Sequence, residues 1–247
     1  MTVSIDQHQS ELLKNLELWR SKPLLQQIYA GFYARIRELI NPAIPGRIVE
    51  VGAGIGNLKT YLPEALATDL FPNPWIDVVC SAYKLPFEPR SVSHLILFDV
   101  FHHLEAPAAF FAEAARVLVN GGRVVMFEPY ISLTSFGIYG LFHHEPIAWR
   151  STINLSKQSP AENKYYASQG NATRLFFGKS HGSWPEGFSI FHREAIASFA
   201  YLLSGGYSKP ALYPGSWLPT FQRLDQALSR WPKLLGSRCL IGLEKAA

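Results

Sequence analysis

Between residues 8 and 40 the apolar positions recur at helical spacing: Leu12, Leu13, Leu16 and Trp19, then Leu24, Leu25, Ile28, Phe32, Ile36, Leu39 and Ile40. Pro23 lies between the two runs, so the spacing predicts two helices, the second starting at the proline, where a missing N–H costs nothing. Asn41, Pro42, Pro45 and Gly46 end it. Beyond Gly46 the texture changes to short apolar runs alternating with helical ones, the signature of βαβ units and a mainly parallel sheet. Strands are predicted at 47–51, 65–70, 77–81, 94–98 and 122–128, with helices at 57–62 and 106–118. Asn120, Gly121 and Gly122 supply a stop before the fifth strand. From about 130 to 188 the alternation fails, which reads as an insertion. A helix is then expected at 193–203, a sixth strand at 211–213, a helix at 221–235 and a last strand at 238–244.

The most informative stretch joins the first predicted strand to the helix after it: Glu50, Val51, Gly52, Ala53, Gly54, Ile55, Gly56, Asn57. Glycines there allow tight turns and close backbone approach to a ligand. The spacing is G-x-G-x-G, where a dinucleotide fingerprint requires G-x-G-x-x-G, and no Gly-Lys-Ser/Thr follows to make a phosphate loop. Asp69, nineteen residues after Glu50 at the end of the second predicted strand, is placed either to accept ribose hydroxyls or to cap a turn.

The glycine spacing behind Glu50 resembles motif I of class I methyltransferases that use S-adenosylmethionine. Leu85-Pro86-Phe87, His102-His103-Leu104 and Arg116-Val117-Leu118 with Gly121-Gly122 are similar to the type 11 methyltransferase family, strongly over residues 47–130. The resemblance implies a Rossmann-like α/β fold, a seven-stranded, mostly parallel sheet with the last strand antiparallel. It implies S-adenosylmethionine as cofactor, with Gly52, Ala53, Gly54 and Gly56 at its methionine part and Glu50 organising its ammonium. Asp69 would hold the ribose and Leu70 lie against the adenine. Ser81 and Ala82 would adjoin the adenine amino group, and Phe98 and Asp99 run near the sulfonium. Family members often carry Asp at the Ser81 and His94 positions, so adenine contacts here are expected from backbone.

Methyl transfer is an in-line displacement at an activated methyl, and a hydroxyl acceptor gains from a general base. His102, His103, His143 and His144 are the candidates, since imidazole titrates near neutrality, although His102 and His103 could equally cap the helix before Pro107. Glu128 is a further candidate or a shaper of its loop. H-E-x-x-H is absent around His143-His144-Glu145, and no metal is expected. The aromatics of the insertion, Phe136, Tyr139, Phe142, Trp149, Tyr165, Tyr166, Phe176, Phe177 and Trp184, form either an acceptor pocket or a satellite core. Residues 1–46 are expected as a helical lid carrying Tyr29 and Tyr33, and 47–247 as the methyltransferase domain with a substrate-binding insertion at 131–190.

Of the 247 residues, 48% are hydrophobic and 17% charged, which excludes disorder as the main theme. The net charge of +4 comes from scattered single cations, so nucleic acid is not an expected partner. No apolar run reaches the roughly 18 to 20 residues of a membrane span and no signal core opens the chain, so no stable membrane insertion and a cytoplasmic location are expected. Cys80 and Cys239, in strand-like segments, read as reduced thiols. The expected activity is methylation of a small or carrier-linked molecule, with oxygen preferred. Its rivals are a non-catalytic methyltransferase-like binding module and an NAD(P)-dependent oxidoreductase.

Overall fold

The computed structural model describes residues 5–142, 145–160, 166–178 and 184–246; His143, His144, Tyr165 and His181 lie outside them. One seven-stranded sheet organises the chain: β1 (Arg47–Val51), β2 (Leu66–Asp69), β3 (Val78–Val79), β4 (Val92–Phe98), β5 (Leu118–Pro129), β6 (Phe188–Ile196) and β7 (Arg238–Lys245). The spatial order is β3-β2-β1-β4-β5-β7-β6. Pairs from β1 to β5 are parallel, and β7 runs antiparallel to both β5 and β6. The order reverses between β1 and β4, and in an open parallel sheet that switch point leaves a crevice at the carboxyl ends of the strands.

Side chains alternate between the two faces of the sheet. Val49, Val51, Leu95, Leu97, Val124, Met126, Ile241 and Leu243 form one core with α3 (Pro107–Val117) and α5 (Asn171–Phe176), the latter supplying Ala172, Leu175 and Phe176. Ile96, Val125, Phe127 and Leu240 point the other way. They meet α2 (Pro23–Glu38) and α6 (Phe199–Leu203). The β1–β2 crossover holds only a short 3-10 turn, Asn57–Thr60, where a helix over 57–62 is expected. The second helix of the chain fills that face instead, through Leu25, Ile28, Tyr29, Phe32, Tyr33 and Ile36. At about 1.5 to 3 kcal/mol per buried side chain, these six contribute on the order of 10 kcal/mol, as much as a whole domain's net stability. Thus α2 is a layer of the core, and α1 (Ile5–Ser21) packs against it through Trp19.

Pro23 does open α2. Three expectations are corrected. Residues 193–196 continue β6, so the helix expected at 193–203 shrinks to α6. Segment 211–213 is irregular, since Pro210 and Pro214 deny it a ladder, and Leu212 makes one backbone bond to Leu203 O at 2.8 Å. The Asn120-Gly121-Gly122 stop lies inside β5 as an irregularity in its pairing with β4. The insertion carries α4 (Leu133–Phe142) and α5, and 221–235 divides into α7 (Leu218–Leu228) and α8 (Pro232–Leu235). Cys239 is buried in β7 and Cys80, just past β3, is half-buried; both are free thiols.

Candidate active site

The loop leaving β1 is built on left-handed backbone, with φ of 73° at Gly52, 55° at Gly54 and 69° at Gly56. A Cβ on Gly52 would stand 2.5 Å from a methyl of Val100, so the β1 and β4 loops touch where only glycine fits. Ala53 is buried and ties the loop to β2 by its N–H to Thr68 O (2.9 Å). Leu12 of α1 lies over Gly54.

Glu50 is 3% exposed, and its Oε2 has no hydrogen-bond partner among the described residues. Burial, reinforced by the Asp69 charge and only partly offset by Lys59, lifts its carboxyl from 4.5 to about 8. Asp69, also buried, accepts the Gly54 N–H through Oδ2 (2.8 Å) and the Phe71 N–H through Oδ1 (3.3 Å). Leu70 is exposed beside it. Ser81 Oγ accepts the Tyr83 N–H (3.2 Å) in a local turn, and Ala82 packs on the core. His94 is buried far from this chemistry. Its Nε2 accepts the Asn41 N–H (3.1 Å), its Nδ1 faces Ser93 Oγ (3.0 Å), and burial with Arg123 nearby lowers it to about 4, so it is a neutral packing group.

At the end of β4, Phe98 stacks on Phe127 (5.1 Å) beneath Tyr29 and Tyr33. Asp99 follows with φ of 55°, a conformation Asp tolerates better than most residues. Its Oδ2 accepts from Arg238 (2.7 Å), a fully buried guanidinium ringed by Phe32, Phe98, Phe127 and Tyr201, while Oδ1 has no partner among the described residues. Arg238 escapes sequence reading, because its signal there is only that of a strand's first residue.

Next come the two histidines. His102 is 3% exposed; its Nδ1 binds Glu128 Oε2 (2.7 Å) and its Nε2 lies 3.4 Å from Glu145 Oε2. Burial opposes its charge, but Glu128 and Glu145 outweigh that and raise it to about 10. Glu128 also accepts the N–H groups of Val100 (2.8 Å), Phe101 (2.7 Å) and His102 (3.3 Å), so it holds the loop. The nitrogen and carboxylate atoms of His102, His103 and Glu145 fall within 4.8 Å of one another, a spacing a metal ion could bridge. His103 differs. Its Nδ1 faces Tyr166 O (2.9 Å), which can only accept, so the neutral ring carries its proton there and Nε2, 3.5 Å from Glu145 Oε1, is the basic atom. Burial, with the His102 charge beside it, lowers its pKa from 6.5. Glu145 and Tyr166 reach this cluster from the insertion; the sequence pattern marks both residues but does not join them to the histidines.

The aromatics of the insertion divide. Phe176 and Trp184 join the main core beside Phe101 and Phe111, and Tyr139 is buried with its hydroxyl on Ser237 O (2.9 Å). Phe136, Trp149 and Phe177 instead line a cleft of about 590 Å³ together with Tyr130, Thr173, Arg174 and Lys233.

A switch-point crevice with a G-x-G-x-G loop and a carboxylate closing each of β1 and β2 defines the class I methyltransferases that use S-adenosylmethionine. Residues 49–126 match the family model described as Methyltransferase domain, a domain whose cofactor is S-adenosylmethionine. No curated protein matches the sequence. Among solved structures, a geranyl diphosphate methyltransferase in complex with S-adenosylmethionine is similar at TM-score 0.54 and 15% identity, over 88% of this chain and 85% of that one. The geranyl diphosphate C-methyltransferase from Streptomyces coelicolor A3(2) gives 0.52 and 14%, over 88% and 77%. A methyltransferase in complex with the Trm112 activator of Haloferax volcanii gives 0.53 and 17%, over 98% and 96%. The site fits the cofactor on its own terms, because the orphaned, buried Oε2 of Glu50 calls for a cationic partner such as an amino acid's ammonium. Among the described residues no helix is long and apolar enough to cross a membrane.

Proposed function

We propose that this protein is a cytoplasmic O-methyltransferase of a small or carrier-linked hydroxyl compound, with His103 as its base. The observation that carries this is the fixed tautomer of His103, whose Nδ1–H is committed to Tyr166 O and whose Nε2 is basic. S-adenosylmethionine supplies a methyl group on positive sulfur. Glu50 would hold its ammonium, the 52–56 loop its methionine part, Asp69 its ribose, and Leu70, Ser81 and Ala82 its adenine. Phe98 and Asp99 would border the reacting centre. Nε2 of His103 takes the hydroxyl proton, and Glu145 stabilises the imidazolium so formed. His102 lies too deep, and is too firmly protonated, to share that task. The 590 Å³ cleft, mostly apolar but with Ser132, Thr173, Arg174 and Lys233 in its lining, suits the body of the acceptor. The domain division follows: α1, over Gly54, is the lid, and α2 is its anchor.

His103→Ala should lower turnover by roughly 100-fold while leaving the affinity for S-adenosylhomocysteine, measured by calorimetry, within about twofold. In the wild type, turnover should rise with pH with its midpoint below 6.5, since the base titrates below its ordinary value. Equal loss of turnover and cofactor affinity in His103→Ala would make the residue structural.

A further inference from the structure

The outer side of α7 carries an apolar stripe that no described residue covers. Residues seven apart on a helix lie about 20° from one another, so Trp217, Leu224 and Trp231 stand on one side of α7 and its flanking turns. Trp217 already has helical dihedrals, and the bonds from Ser229 N to Asp225 O and from Trp231 N to Leu228 O carry the path onward. The three side chains are 58%, 45% and 58% exposed, whereas Leu218 and Asp225, about 100° round the helix from Trp217 and Leu224, are buried. Arg223 and Arg230 are exposed alongside the stripe, and Lys233 and Leu234 continue the surface on α8. Asp225 is the only acidic residue between 206 and 237, and it turns inward to accept the N–H groups of Phe199 (2.6 Å) and Ala200 (3.0 Å). The face therefore offers indoles, leucines and cations, and no carboxylate.

We propose that this face docks on an anionic lipid bilayer. Indole rings favour the headgroup region, where an apolar body and a polar N–H are both satisfied, and cations of one sign beside them are drawn to lipid phosphates. Indoles and leucines on one side of a helix, with cations beside them and no carboxylate, are the composition of an amphipathic helix seated in a bilayer surface. The surface also leads to the cleft. Lys233 lines it, α4 lies against α8, and Leu133 and Phe136 of α4 are 73% and 50% exposed at its edge. A docked molecule thus turns the cleft mouth toward lipid, and the acceptor is a lipid-borne amphiphile. That consequence rests on the methyl-transfer reading; the docking does not.

The test is co-sedimentation with vesicles of phosphatidylcholine, alone or with ~30% phosphatidylglycerol, using wild type, W217S/W231S and R223E/R230E. All four positions are exposed, so the fold should stand, and S-adenosylhomocysteine calorimetry on the same preparations reports the cofactor site separately. Wild type should partition onto the anionic vesicles about tenfold better than onto neutral ones, lose that advantage in high salt, and weaken about tenfold in each double variant. Failure of the wild type to bind anionic vesicles, or binding unchanged in both variants, overturns the proposal whatever the calorimetry gives.

Discussion

Two strands end in a buried glutamate, and the two are opposites. Glu128, at the end of β5, is 0% exposed and meets three backbone N–H groups and the His102 imidazole. Glu50, near the end of β1, is 3% exposed and leaves Oε2 without a partner among the described residues. Burying a carboxylate without compensation costs several kcal/mol, so a protein keeps one only where something else will compensate it. The satisfied glutamate is scaffold, and the unsatisfied one marks a ligand site.

Glu128→Ala should show the largest effect. It orphans three N–H groups and leaves His102 with only Glu145 to balance its charge, a loss of about 3 to 5 kcal/mol measurable by urea unfolding. Affinity of the folded fraction for S-adenosylhomocysteine should change little, because no atom of Glu128 is left over for a ligand.

Glu50→Gln should invert that pattern. A carboxyl raised from 4.5 to about 8 on folding stabilises the ligand-free protein fully below 4.5, and that contribution is lost as pH rises through about 8. The substitution removes this decline, so at alkaline pH the variant should equal or exceed wild-type stability by up to a few kcal/mol in thermal melts. Its affinity for S-adenosylhomocysteine should instead fall by about 10 to 100-fold, the worth of one charge-assisted bond. His102, raised from 6.5 to about 10, likewise stabilises below 6.5 and loses that contribution through about 10. The pH profile of Glu50→Gln should therefore keep its upper decline and lose its lower one.

How legible each half was follows from the same contrast. The glycine loop and Asp69 could be read because their spacing is local, one strand and one turn each. The partners that define the histidines could not: Glu145 and Tyr166 arrive from the insertion and Arg238 from the last strand, across long stretches of chain. The sheet's inner strands announced themselves as continuous apolar runs. The edge strand β6 did not, since its first six residues are half-buried or exposed and Ile190 and Phe191 both face solvent, which hides the two-residue period. Its last residues, Ala195 and Ile196, then merged with Ala197 and Ala200 into an apparent helix.

The smallest effect falls on Gly54, and it separates packing from ligand approach within the loop itself. At Gly52 an added methyl would collide with Val100, so Gly52→Ala mixes a clash with any lost contact. At Gly54 the nearest atom would be a Leu12 methyl at 3.8 Å, an ordinary contact, leaving only the strain of φ 55° for an alanine. Gly54→Ala should then cost about 1 to 2 kcal/mol in unfolding. If backbone must approach the cofactor here, affinity for S-adenosylhomocysteine should fall about tenfold in the folded protein, beyond what the stability change predicts. Affinity equal to wild type would mean that Gly54 serves only the turn, and that the ligand-facing backbone begins at Gly52.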